Sequence, residues 1–439
     1  MTTPRVVGLN FVGPDIPSIA DLQNCIHCGF CLPYCPTYVA TGQELESPRG
    51  RLHLIAAVRD GRIEASDRTL THLDRCLQCR ACETACPSAV PYGRIMEDAR
   101  ASIMAHAPSE QPKAWRLRAI ALRQVLARPR VLRAVLDLGR LYSRSGLHRL
   151  ARGPLRRLLP PRIARLESSI PVLSAHPFRT TGTLAHPEGA TARVALLLGC
   201  VAGEMYPGTH EATVRVLEHV GCEVIAPPAQ GCCGALHSHA GDAETARALA
   251  RRNIAAFEAA GVDAVIVNAA GCGAAMKEYD RLLRNDPHWA PRAERFAASV
   301  KDVLEYVAER DFAHDLGPVD ETVTLQDACH LAHAQHIREA PRRILRAIPG
   351  LRLNEMRTPD RCCGSAGIYS MVQPDLSAEI LDAKMRDIAS TGADVICTEN
   401  PGCTLQLQAG LVRTGLHAEV RHVIEVLDQS VRAGAATRA

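Results

Sequence analysis

The chain has 439 residues, 47% apolar and 22% charged, with 18 cysteines and a formal net charge of +4. That length accommodates two or three domains, excludes a short disulfide-stapled scaffold despite the cysteine count, and gives no reason to expect a nucleic-acid partner. No run approaches 18 apolar residues, so no membrane-spanning helix is expected.

Residues 1–105 carry the strongest signal. Cys25, Cys28, Cys31 and Cys35 precede Pro36, and Cys76, Cys79, Cys82 and Cys86 precede Pro87. Each run is the C-x2-C-x2-C-x3-C-P pattern of bacterial iron–sulfur proteins, in which the fourth cysteine serves the other cluster. The expected cofactors are two [4Fe–4S] clusters, one held by Cys25, Cys28, Cys31 and Cys86, the other by Cys76, Cys79, Cys82 and Cys35. Zinc sites use sets of four Cys or His, so a third cysteine at the same interval would be surplus. The 40 residues between the runs read as helix. Ser47 is a good N-cap, Pro48 occupies the first helical position, Leu52, Ile55, Ala56 and Val58 follow, and Gly61 closes the helix. The N-terminal stretch MTTPRVVGLNFVGPDIPS lacks the basic head and long apolar core of a signal peptide. With the need for reduced thiolates, this points to the cytoplasm, either free or peripheral on the inner face of the membrane.

Residues 106–190 read as a basic helical linker. Between Lys113 and Arg165 there are 15 Lys and Arg against one acid, Asp137, while the rest of the chain holds 36 basic and 46 acidic residues. Leu117, Ile120, Leu122, Val125 and Leu126, then Leu132, Val135, Leu136 and Leu138, fall at helical intervals, punctuated by Pro129, Pro154, Pro160 and Pro161. Three roles compete: a connector packed on its own domains, a docking face for an acidic partner, or a membrane-surface contact.

Residues 191–439 contain a repeat, divided into 191–315 and 316–439. Strand-like Val194–Leu198 leads to Cys200, then Cys232-Cys233-Gly234, then strand-like Ala264–Val267 before Cys272. The second half repeats this with Val323–Gln326, Cys329, Cys362-Cys363-Gly364, Val395-Ile396 and Cys403, offset by 129 to 131 residues. Alternating strands and helices make each half an α/β unit with its cysteines at strand ends. The expected fold is therefore α+β and multidomain, a helical two-cluster ferredoxin domain followed by a duplicated α/β domain. Each repeat brings four thiols, which either bind an additional cluster per repeat, share one at the repeat interface, or pack as small apolar groups. Cys222 and Cys397 fall outside the match and read as core. His330, His333 and His336 could share a helix face, although a surface or capping role is the simpler expectation for each.

The stretches CIHCGFCLPYCPTYVATGQELESPRGRLHLI and HLDRCLQCRACETACPSAVPYGR resemble the cluster regions of the glycolate oxidase (glycolate dehydrogenase) iron–sulfur subunit. The repeats resemble the cysteine-rich CCG domains shared with heterodisulfide reductases, lactate-utilisation proteins and the anaerobic glycerol-3-phosphate dehydrogenase iron–sulfur subunit. The family's terminal Cys-x-x-Cys is absent, since Ala275 and Gln406 stand three residues after Cys272 and Cys403. The resemblance implies an electron-transfer subunit that receives electrons from FAD-containing glycolate oxidase subunits and passes them to a quinone or another membrane acceptor. It leaves open a thiol–disulfide reductase centred on the CCG repeats, or service to a lactate or glycerol-3-phosphate dehydrogenase. No G-x-G-x-x-G follows a strand, so the chain brings no flavin site of its own.

Overall fold

The computed structural model describes residues 10–107, 109–153, 160 and 173–438. Pro154, Pro161 and the end of the basic stretch at Arg165 lie outside them, as does the start of the N-terminal segment.

The N-terminal unit is helical because its sequence caps and patterns it so. The Ser47 hydroxyl accepts from the Gly50 N–H, Pro48 opens the helix Pro48–Arg59, and Gly61 follows it with φ 69°. Leu52, Ile55 and Val58 bury against Leu70, Leu73, Ile95, Met96 and Ile103 of the helices Asp67–Asp74 and Tyr92–Met104. Full burial of each such side chain stabilises by roughly 1.5–3 kcal/mol.

The basic segment forms the helices Lys113–Val125, Pro129–Arg144 and Leu147–Arg152. Much of its charge is used internally. Arg118 pairs with Asp74 at 2.7 Å, Arg123 with Asp242 at 2.6 Å, and the buried Arg140 with Glu204 at 2.8 Å.

The repeats form two sheets of matching topology. The first has β1 (Gly182–Ala185), β2 (Ala192–Leu196), β3 (Cys222–Ala226), β4 (Ala264–Val267) and β5 (Val300–Asp302), in the order β1-β3-β2-β4-β5. The second has β6 (Thr322–Leu325), β7 (Arg352–Leu353), β8 (Val395–Cys397) and β9 (Glu419–Arg421), in the order β7-β6-β8-β9. Without β1, both run second-first-third-fourth and all parallel. The extra β1 comes from the stretch read as linker and pairs antiparallel with β3. One core joins the sheets, with Val194, Leu196 and Ile266 in the same cluster as Val323, Leu325 and Val395. Cys222 and Cys397 are fully buried in it.

Candidate metal centre

Each Cys-x-x-Cys-x-x-Cys loop is bent by residues with positive φ, His27 (55°) and Gly29 (86°) in the first, Gln78 (53°) and Arg80 (62°) in the second. Three of these four are not glycine, and such backbone is held only where its surroundings impose it. The equivalent positions in both loops share this turn. Cys25, Cys28, Cys31 and Cys86 line one cavity. Cys35, Cys76, Cys79 and Cys82 line a second, and Cys82 borders both. The fourth cysteine of each run thus lies with the first three of the other.

These donors suit a cluster. Burial pushes the Cys31 thiol up to about 11, and burial followed by neighbouring thiolates pushes Cys79 and Cys82 well above the usual thiol range. Such groups become thiolates when a strongly positive centre binds them. Donors already surround Cys76, since the Gln78 N–H points at its sulfur from 3.3 Å and the Tyr92 hydroxyl from 3.6 Å. Hydrogen bonds to ligating sulfur are one lever on cluster potential.

Sequence reasoning missed Arg51, 1% exposed beside the second cavity. It donates to the Thr37 hydroxyl (3.0 Å), the carbonyls of His72 (2.7 Å) and Glu46 (2.6 Å), and the Glu46 carboxylate (2.6 Å). Burial opposes its charge, but Tyr92, Cys76, Cys35 and Glu46 outweigh that and raise its pKa. The signal was present: Arg51 stands four residues before Ile55 and seven before Val58, in register with the buried face.

In the repeats, Cys200 and Cys272 follow β2 and β4, and Cys329 and Cys403 follow β6 and β8. These are the two central strands where the chain order reverses, the position at which open α/β sheets present their sites. Cys200 meets Cys232, Cys232 meets Cys233, and Cys233 meets Cys272. Cys329, Cys362, Cys363 and Cys403 form the same chain of contacts. In each repeat a glycine N–H donates to the first sulfur of the Cys-Cys pair, Gly234 to Cys232 (3.4 Å) and Gly364 to Cys362 (3.5 Å). Contact with Cys200 and then Cys233 holds Cys232 well below the usual thiol range. Among the described residues, no group of three or more His, Cys, Asp or Glu is arranged to hold a single metal ion. A cluster spreads its thiolates over different irons.

The second ferredoxin loop is the hub. Cys79 shares an apolar cluster with Cys362 and Cys329, while Cys233 lines a cavity with Gln78 and Arg80 of the same loop. The first loop lies outermost, with Cys28 exposed and Ile26 and Phe30 showing 67% and 64% of their surface.

Three family models match. They are a 4Fe-4S dicluster domain over residues 21–90, the linker region of the glycolate oxidase iron-sulfur subunit over 114–170, and the cysteine-rich CCG domain over 194–277 and 323–408. The probable glycolate oxidase iron-sulfur subunit of Bacillus subtilis is 43% identical over 92% of both chains. The chain belongs to the family of glycolate oxidase iron–sulfur subunits. The Escherichia coli glycolate oxidase iron-sulfur subunit is 35% identical over 93% of this chain and 94% of its own. A lactate utilization protein A from Exiguobacterium is 31% identical over 54% of this chain and 98% of its own.

As a glycolate oxidase-type iron–sulfur subunit, the protein carries [4Fe–4S] clusters, serves electron transfer in an oxidoreductase and works in complex with other subunits. The expected α+β fold, with its ferredoxin domain and duplicated CCG domain, stands. Among the described residues no helix is long and apolar enough to cross a membrane.

The histidines do not share a helix face. His330 and His333 sit in the short turn His330–Ala334, and His336 lies beyond it with φ 57°. His330 Nε2 lies 2.9 Å from the Gln78 carbonyl, and His333 bridges Thr84 and the Asp360 carbonyl. Both tie the second repeat to the ferredoxin unit or its own loops. Gln406, in place of a final cysteine, donates to Ser377 at 3.0 Å, whose hydroxyl donates to the Gly364 carbonyl. Ala275 offers no donor there.

Proposed function

We propose that this subunit conducts electrons from an FAD-bearing partner that oxidises glycolate to glyoxylate, and delivers them to a quinone or another acceptor at the membrane. In this reading Cys25, Cys28, Cys31 and Cys86 hold one cluster, and Cys76, Cys79, Cys82 and Cys35 the other. The clusters supply one-electron carriage between a two-electron donor and the acceptor. The chain holds the carriers at set spacing, shields the inner one from water, and keeps the Arg51 charge beside it.

The observation that carries the proposal is the order of burial. The first loop is exposed and carries Ile26 and Phe30, and Tyr34 and Val39 follow in the chain, all exposed apolar side chains suited to a docked partner. Behind it lies the second loop, with Cys76, Cys79 and Cys82 buried and both repeat thiol sets alongside. Entry from a partner at the first loop and passage inward follow from that order.

The test is reconstitution. The anaerobically purified chain should be brown and inert with glycolate, and glycolate should reduce its clusters only once the flavoprotein subunit is added. Glycolate turnover by the chain alone would overturn the reading.

A further inference from the structure

An open cleft lies where the ferredoxin unit, the linker and both repeats meet. The second cluster loop brings Cys76 and Leu77 to it, helix Tyr92–Met104 brings Arg100, and helix Lys113–Val125 brings Arg118. The repeats add apolar lining, Leu236 from the first, Ile368, Tyr369 and Val372 from the second.

Its polar groups are left incomplete by the protein. Arg118 donates through Nη1 to Asp74 at 2.7 Å, yet its Nε and Nη2 are buried with no partner. Arg100 is 5% exposed and spends its terminal nitrogens on the carbonyls of His239 (2.8 Å), Leu73 (2.6 Å) and Cys76 (3.0 Å), with Asp74 more distant at 3.5 Å. Its Nε, too, is buried and unpartnered. A buried donor left unpaired is costly, because it has given up water without gaining another acceptor. Three of them around one cleft favour a ligand that brings oxygen acceptors.

We propose that this cleft is a quinone site. The proposal rests on the electron-delivery reading above and names where delivery occurs. The apolar lining suits a flat ring, the arginine N–H groups suit carbonyl oxygens, and the sulfur of Cys76 lines the same space. A carboxylate fits less well. Asp74 already offsets one of the two cations, and a cluster with four thiolates beside Cys76 adds about −2, so the cleft disfavours an anion and tolerates a neutral acceptor. Val372 and its neighbour Met371 are exposed apolar residues, giving an isoprenoid tail a way out. The balance closes: oxidation of a 2-hydroxy acid to the oxo acid releases two electrons and two protons, and reduction of a quinone to the quinol takes up two of each, both carbonyls becoming hydroxyls. The protons exchange with solvent.

The test uses the full-length, cluster-loaded chain and decylubiquinone, with binding measured by anaerobic ultrafiltration. Wild type should bind saturably, and Arg118→Gln should weaken binding about tenfold while leaving the iron content unchanged. Because Arg118 also holds Asp74, a second variant, Val372→Trp, narrows the cleft from an exposed position and should weaken binding too. No saturable binding by wild type, or binding that both variants leave unchanged, overturns the site. So does Arg118-dependent binding of glyoxylate in a parallel titration without binding of the quinone. Glycolate-driven cluster reduction by the flavoprotein is followed separately without quinone. If it occurs while decylubiquinone fails to bind, the site is wrong and the conduction reading stands. If it fails while Arg118-dependent quinone binding persists, the site is supported and the glycolate reading falls.

Discussion

Arg51 and Glu46 form an ion pair at 2.6 Å in which neither side chain is more than 1% exposed. Removing one member of a buried pair typically costs about 3–5 kcal/mol, because the other charge is stranded. Glu46 is also met by Arg75 and His72, each at 2.8 Å. Burial works against its charge, but those bonds and Arg51 hold its carboxyl below the usual range.

Arg51→Met should therefore lower stability by about 3 kcal/mol or more. It should also shift the second cluster to a more negative potential, since a buried cation beside Cys35 and Cys76 favours the reduced, more negative state. Arg51→Lys keeps the charge without the fork of donors and should fall between. Anaerobic redox titration followed by EPR checks this. An unchanged potential in Arg51→Met would remove Arg51 from any tuning role.

The crossed ligation is tested by Cys86→Ser. The cluster built on Cys25, Cys28 and Cys31 should be damaged although Cys86 belongs to the other run. Mutant spectra with loss confined to the Cys76 cluster would refute the crossing.

The cluster domain was legible because its chemistry is local. Ligand spacing in sequence is the geometry of the loop, and an N-cap acts within one turn of Ser47. The repeat was legible through thiol intervals alone. What escaped was long-range. The Arg80–Glu278 ion pair joins residues 198 apart, and Arg118 meets Asp74 across 44. No periodicity marks such partners. Nor does spacing show that His330 and His333 would be spent on inter-unit contacts, because their helix ends after one turn at Ala334. The three roles open to the basic stripe could not be separated from sequence, because the acids that neutralise part of it, Glu204 and Asp242, lie in the repeats.

That stripe still presents an apolar edge. Helix Pro129–Arg144 exposes Val135, Leu138 and Leu141 at intervals of three, alongside its arginines. Reversing Arg128, Arg130 and Arg133 to Glu should weaken association with partner subunits or with anionic vesicles in co-sedimentation. The effect should be larger at low salt, where screening is weakest. Association unchanged at every ionic strength would leave the segment a connector.

Asp302 sets a pH dependence. Its Oδ1 caps helix Val303–Ala308 by accepting from the Leu304 N–H at 2.9 Å, and its Oδ2 is buried without a partner. Burial pushes its carboxyl up to about 7, despite the bond from Leu304 and the charge of Lys277. In the unfolded chain it ionises near about 3.9. Between those values the unfolded state binds fewer protons, so this group erodes stability as pH rises from about 4 to about 7, and no further above. Asp302→Asn can keep the cap and removes the ionisation. Thermal unfolding of the variant should therefore lose less between pH 4 and pH 7 than that of wild type. Parallel pH profiles would show that the carboxyl is not strained in this way.

Iron content decides what the repeats do. Two cubanes need about eight irons per chain. If the repeats are metal-free, anaerobically purified protein holds no more than that. The contact chains Cys200-Cys232-Cys233-Cys272 and Cys329-Cys362-Cys363-Cys403 recur at the same topological position in both sheets, and packing alone does not require four thiols twice. Against metal stand Ala275, with no donor, and Gln406, committed to Ser377. We expect iron above eight, lost on Cys232→Ser or Cys363→Ser while the ferredoxin signals survive. Of the two, Cys363→Ser should also shift the second ferredoxin cluster's signal without abolishing it, because its neighbour Cys362 packs with Cys79. Full iron and full electron transfer in both mutants would make the repeats a structural platform, with conduction confined to the N-terminal pair.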